Sequence, residues 1–158
     1  MTIVIEEARS EAEIDQVRGL FRAYAASLPF DLGFQNFAAE LESLPGPYAA
    51  PDGCLLLARQ AAEPVGCVGV KRLATGIAEI KRLYVVQSFR GTGLGRRLLE
   101  AAIECARQIG FRSVRLDSHS EHMHAAIALY RKLGLAEIPP YGPDLDGRLM
   151  FFEKRLWN

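Results

Sequence analysis

The 158-residue chain has little of what marks several classes of protein. Its three cysteines, Cys54, Cys67 and Cys105, are odd in number, widely spaced and set in apolar sequence. A disulfide scaffold or a thiolate zinc site needs paired cysteines at short, regular spacing, so free buried thiols in a reducing compartment are expected instead. No apolar run approaches the roughly 18 residues of a membrane span. The opening MTIVIEEARSEAE turns acidic at once, without the basic and then apolar stretch of a secretory signal. Excess charge is missing too: 19 Lys plus Arg balance 19 Asp plus Glu, so neither nucleic acid nor a membrane surface is an expected partner. Repeats and low-complexity linkers are absent. What remains is a cytoplasmic globular protein with one domain over 1–158, and 49% hydrophobic residues suffice for a core at this length.

The elements follow from periodicity and punctuation. A β-branched run at 2–8 predicts a strand, and Ser10 with Glu13 forms a capping box. The helix it starts carries Ile14, Val17, Phe21, Tyr24 and Leu28 on one stripe and stops at Pro29. A weaker helical stretch covers about 35–44. Strand-like runs at 54–59, 65–73 and 77–86, joined by short polar turns, predict an antiparallel meander. In the third run Ala78 and Ile80 share one parity while Leu83 and Val85 take the other, which predicts a β-bulge near 81–83. A glycine-rich turn then feeds a long amphipathic helix to about Ile109 with Gly110 as its cap. A strand at 111–117, a helix at about 121–133 ended by Gly134, a final strand near 149–156 and one further strand make the order β-α-α-β-β-β-α-β-α-β-β. The expected fold class is α/β, a mixed and mostly antiparallel sheet of six to seven strands flanked by about four helices.

The segment most able to carry chemistry is the turn at 90–96, Arg90, Gly91, Thr92, Gly93, Leu94, Gly95 and Arg96. Glycines let a ligand approach the backbone, and the first N–H groups of a helix are unpaired, so a phosphate or pyrophosphate is the expected guest. Arg90, Arg96 and Arg97 add charge-assisted contacts to such an anion. ATP and dinucleotide loops do not fit: no Lys followed by Ser or Thr ends the turn, and the glycines read G-x-G-x-G where a dinucleotide site has G-x-G-x-x-G.

The string RGTGLG at 90–95 matches the acyl-CoA pyrophosphate loop, [RQ]-x-x-G-x-[GA], of the GNAT superfamily of N-acetyltransferases. EIKRLYV at 79–85 resembles that family's fourth strand, and AIALYRKLG at 126–134 its later helix ending in Y-x-x-x-G. The resemblance covers about 3–156, element order included. It implies acetyl-CoA as acyl donor, a fold in which the fourth and fifth strands splay apart, and a pantetheine arm lying in the gap. It places Leu83, Tyr84 and Val85 along the acyl and pantetheine part and 90–96 on the pyrophosphate. It implies transfer of acetyl to a primary amine by direct attack in a ternary complex, with no metal. The acceptor class is open between a small molecule and the lysines or N-termini of a protein partner, and a non-catalytic acyl-CoA-binding module is the rival class. Homodimers are common among such proteins, and no long apolar stripe here decides the matter.

The same resemblance nominates Glu79, eleven residues before Arg90, as general base, since an ammonium must lose a proton before it can attack a thioester. The other reading of Glu79 is an outward carboxylate paired with Lys81 or Arg82. Tyr130 sits where the family places the general acid for the departing thiolate, and it also shares a helix face with Met123, Ile127 and Leu133 as a core tyrosine would. Met123 stands where the family often has a cofactor-contacting Asn. His119, His122 and His124 cluster at the end of the fifth strand and the start of the next helix, as solvated cap residues or, for His119, as a substrate-side group or alternative base; the i and i+2 spacing of His122 and His124 speaks against a metal site. The resemblance puts the loop at 29–37 beside the acceptor, with Phe30, Phe34 and Phe37 as core anchors rather than ligand contacts; the loop at 139–143 either closes the other side or is a rigid turn before the last strand.

Overall fold

The structure is a computed structural model that describes residues 2–28, 31, 36–120, 123–144 and 147–157. Strand β1 (Ile3–Glu7) leads into helix α1 (Glu11–Ser27) and the short helix α2 (Phe37–Ser43). The meander is β2 (Cys54–Gln60), β3 (Glu63–Ala74) and β4 (Ile77–Val85), followed by α3 (Leu94–Ile109), β5 (Ser113–His119), α4 (His124–Lys132), β6 (Ala136–Ile138) and β7 (Leu149–Arg155). The expected order is observed, as a seven-stranded sheet β1-β2-β3-β4-β5-β7-β6. Every neighbouring pair is antiparallel except β4 with β5.

Local chemistry sets the element ends. The Ser10 hydroxyl accepts the Glu13 N–H at 3.1 Å, and the Glu13 carboxylate accepts the Ser10 and Arg9 N–H groups at 2.9 and 3.0 Å. These bonds to the charged form bring Glu13 down to about pKa 2. Gly110, at φ +111°, caps α3 in the left-handed conformation that only glycine adopts without cost.

Two apolar cores sandwich the sheet. Cys54, Leu56, Val68, Val70, Ala78 and Ile80 face α3 and α4, while Leu55, Leu57 and Cys67 face α1 with Val17, Phe21 and Tyr48. Burial on both faces explains why β2 reads as a continuous apolar run rather than an alternating one. Gly69 is demanded by packing, because a Cβ there would lie 2.6 Å from the Tyr48 ring. Tyr48 thereby lies against β3, beside the place where β4 bends.

Candidate active site

The site begins where the sheet comes apart. Strands β4 and β5 pair only at Ile77 with Ser113, Ala78 with Val114 and Glu79 with Arg115. Beyond Glu79 they diverge, and the gap is lined by Ile80, Lys81, Arg82 and Leu83 on one side and Leu116, Asp117, Ser118 and His119 on the other. On the β3 side the register jumps from Gly69 opposite Lys81 to Cys67 opposite Tyr84, so Arg82 and Leu83 together oppose Val68. This is the bulge anticipated at 81–83, with Arg82 at φ +62°.

The bulge decides which backbone groups face the gap. Val86 N–H donates to Val65 C=O at 3.0 Å, so by alternation Tyr84 is bonded to Cys67, and Leu83 and Val85 turn their N–H and C=O groups to the edge that β5 has vacated. The Val85 carbonyl there accepts the Arg90 Nε–H at 3.2 Å. Tyr84 does not face the gap: its ring meets Tyr24 edge-on at 6.2 Å, on the α1 side.

After a short 3-10 turn (Gln87–Phe89), Gly91 and Gly93 take φ +79° and +85°, and a Cβ on either would meet nothing within 4 Å. The loop is therefore open to a ligand approaching its backbone. The first helical bond of α3 runs from Arg97 N–H to Gly93 C=O at 3.1 Å, leaving the N–H groups of Leu94, Gly95 and Arg96 without a helical carbonyl to bond. This geometry fits a pyrophosphate on the loop with an extended arm in the gap. The Leu94 side chain is core, so only its backbone reaches the loop surface. Arg96 is exposed and near Glu100 at 3.6 Å, whereas Arg97 turns away to donate to the Ile3 carbonyl at 3.1 Å. Thr92 donates to Phe89 C=O at 2.5 Å and ties the loop together.

Glu79 is buried, not outward. Its Oε2 accepts the Tyr141 hydroxyl at 2.8 Å and its Oε1 lies 3.7 Å from Lys71 Nζ. Arg82 is elsewhere engaged: its guanidinium donates to both oxygens of Glu40 on α2, at 2.9 Å each, and lies over the Tyr24 and Phe37 rings. Burial works against that charge, but the Glu40 carboxylate outweighs it and raises the Arg82 pKa. Glu79, Lys81, Asp117, Tyr141, Pro143 and Leu149 line a second pocket, and Lys81, Asp117 and Leu149 border the gap as well. Burial raises the pKa of Asp117, with Lys81 opposing.

Tyr130 reaches the gap from α4, buried and edge-on to Phe152 at 5.6 Å. Burial pushes its pKa up to about 12, against a hydrogen bond with Ser118. Tyr130 is a buried core ring that also lines the gap. Met123 precedes α4 and accepts the Ser118 hydroxyl on its sulfur at 3.4 Å. His119 is buried at the end of β5, and His124 begins α4. His122, Phe30 and Phe34 lie outside the described residues, while Phe37 packs beside Arg82. Among the described residues no three His, Cys, Asp or Glu side chains converge on a metal position, and no helix is long and apolar enough to cross a membrane.

Sequence reading missed Asp117, Lys81 and Tyr141 as a group and the Arg82–Glu40 pair. Parity offered a clue to the first: Arg115, Asp117 and His119 alternate along β5, so the register that pairs Arg115 with Glu79 puts Asp117 level with Lys81. Nothing in sequence linked positions 40 and 82.

A strand pair that splays beside a glycine loop is the arrangement that the resemblance to acyl-CoA-dependent acyltransferases implies. The family model for the GNAT acetyltransferases matches residues 17–135. An IAA acetyltransferase of Azospirillum brasilense is 34% identical over 159 residues, covering 99% of this chain and 98% of that protein. A GNAT-family acetyltransferase structure from Staphylococcus aureus superposes with TM-score 0.80 at 21% identity, covering 98% and 99% of the two chains. An N-acetyltransferase from Thermoplasma acidophilum, solved with coenzyme A, gives TM-score 0.74 at 22% identity over 98% and 99%. The chain belongs to the GNAT acetyltransferase family, and its chemistry is acetyl transfer from acetyl-CoA.

Proposed function

We propose that this protein acetylates the primary amine of a small molecule in the cytoplasm, by direct attack with donor and acceptor bound together. The observation that carries this reading is the junction of the two cavities at Lys81, Asp117 and Leu149. A donor in the gap and an amine in the pocket would meet there without a covalent enzyme intermediate. The acceptor pocket is walled by Leu73 and by the Tyr141–Pro143 turn, which favours a small acceptor over a protein surface. Its two carboxylates, Glu79 and Asp117, favour a cationic amine.

Acetyl-CoA, when bound, supplies an acetyl group activated as a thioester. The free N–H groups at the start of α3, with Arg90, Gly91, Thr92 and Arg96, hold the pyrophosphate end. The Leu83 and Val85 amides polarise the thioester carbonyl at the point where negative charge develops. A carboxylate of the acceptor pocket takes a proton from the ammonium. Tyr130, whose pKa is raised to about 12, keeps its proton at neutral pH and delivers it to the leaving sulfur.

Incubation with acetyl-CoA and either small primary amines or peptides bearing free N-termini and lysines tests the reading. Faster transfer to a small amine than to any peptide is expected. Preference for a peptide would overturn the acceptor class, and no transfer to either would overturn the activity.

A further inference from the structure

We infer that Asp117, rather than Glu79, is the carboxylate that deprotonates the acceptor, and that Glu79 acts as a positioning residue. The inference rests on the proposed amine acetylation and assigns its base. The two carboxylates stand on the same side of the sheet but are differently committed. Glu79 lies at the last paired position of β4 and β5, where Tyr141 donates to one oxygen and Lys71 approaches the other. Proton capture there would spend a contact that already holds the Tyr141 loop against the sheet. Glu79 also borders the acceptor pocket alone, not the gap.

Asp117 is two residues further along β5, past the point of divergence, and borders both cavities. An acceptor nitrogen able to reach a thioester in the gap must pass this junction, and a base is useful only within hydrogen-bond reach of that nitrogen. The charged and titratable groups around Asp117 are Glu79, Lys81 and Arg82 from β4, Tyr24 from α1, Tyr130 from α4, and Asp144 and Tyr141 from the segment before β7. Lys81, across the gap at the level of Asp117, favours the carboxylate, while burial and the two other carboxylates favour its protonation. The balance is a carboxyl more basic than an exposed one.

The protons balance. The ammonium carries three and the amide product one. Asp117 takes the first and passes it to solvent; the lone pair left on nitrogen forms the C–N bond as the C–S bond breaks. The second proton leaves the nitrogen as the C–S bond breaks and reaches Tyr130 through solvent, replacing the one that Tyr130 gives to the sulfur.

The test uses the whole chain with acetyl-CoA and benzylamine, 1,4-diaminobutane, glycine and a free-N-terminus hexapeptide, following kcat/KM against pH. Asp117→Asn is expected to lose about 100-fold or more in kcat/KM, the size of a general-base contribution, and to retain stabilisation by acetyl-CoA. Glu79→Gln is expected mainly to raise KM for the amine. Asp117→Glu, which keeps the carboxylate, is expected to restore most turnover and to displace the acid limb of the pH profile. Near-normal turnover in Asp117→Asn, or loss of kcat with the acid limb in Glu79→Gln, would overturn the assignment. Should Asp117→Asn fail to fold, an unmoved acid limb in Asp117→Glu would overturn it. Absence of turnover in the unaltered protein would instead defeat the proposed function, and the base assignment with it.

Discussion

Replacing Glu40 by alanine should strand the Arg82 guanidinium in the α1–α2 core. The Arg82 side chain is 2% exposed and that of Glu40 13%, so water can replace little of what the carboxylate provides. Two hydrogen bonds of 2.9 Å would be lost together, and the Tyr48 hydroxyl, which donates to Glu40 at 3.2 Å, would lose its acceptor. Breaking a buried pair by removing one partner costs about 3 to 5 kcal/mol. The low end applies because Glu40 is not fully buried, and about 3 kcal/mol corresponds to a fall of roughly 6 to 12 °C in Tm for a chain of this size. Arg82→Met in the same background removes the stranded charge, so Glu40→Ala/Arg82→Met should unfold at a higher temperature than Glu40→Ala alone. Thermal and denaturant unfolding of the four proteins in the cycle give the coupling directly. A Tm change below about 2 °C for Glu40→Ala, or costs that simply add, would refute the view that Arg82 and Glu40 are a coupled buried pair. Because the bulge directs the Leu83 and Val85 amides into the gap, Glu40→Ala should also raise KM for acetyl-CoA.

Acetyl-CoA at 100 times its Kd should stabilise the unaltered protein by about 2.7 kcal/mol, or roughly 5 to 10 °C; Gly93→Asp, which places a carboxylate at φ +85° on the loop, should abolish that shift in the same melting assay. Tyr130→Phe should lower kcat while leaving the acetyl-CoA shift intact, since it removes a hydroxyl and not the ring; stopped-turnover measurements of kcat and KM separate the two. An acid with a pKa near 12 is lost only as pH rises toward that value, so a kcat profile taken up to pH 10 should show no alkaline limb from Tyr130. The Glu13 pKa is depressed on folding, so its stabilisation is present above the unfolded carboxylate range and lost as pH falls toward about 2. The stability gap between the unaltered protein and Glu13→Gln should accordingly shrink between about pH 5 and pH 2 in urea titrations.

Much of this architecture was legible in the sequence because its signals are local. Ser10 and Glu13 specify a cap between neighbours, the Leu83 and Val85 parity slip records the bulge in the strand itself, and Gly91 and Gly93 mark a turn that only positive φ can make. Glu79 and Tyr130 were nominated from family likeness and are both buried beside the splayed strands. Beyond the 139–143 loop, the pocket beside the gap was not readable, because its contacts are assembled by long-range pairing. Tyr141 meets Glu79 across 62 positions and Arg82 meets Glu40 across 42, and no periodicity connects such residues. Arg97 offered an apparent phosphate ligand by composition, yet the docking of α3 beside β1 gives it the Ile3 carbonyl instead.

The central claim is direct acetyl transfer from a donor in the β4–β5 gap to an amine in the adjoining pocket. Its most direct test is the release of CoA thiol, measured at several fixed amine concentrations while acetyl-CoA is varied, with mass spectrometry of the amine and of the protein. Release that requires the amine, intersecting double-reciprocal lines, an acetylated amine and an unmodified protein are predicted. Parallel lines with an acetylated protein, or thiol release indifferent to any amine, would contradict the account.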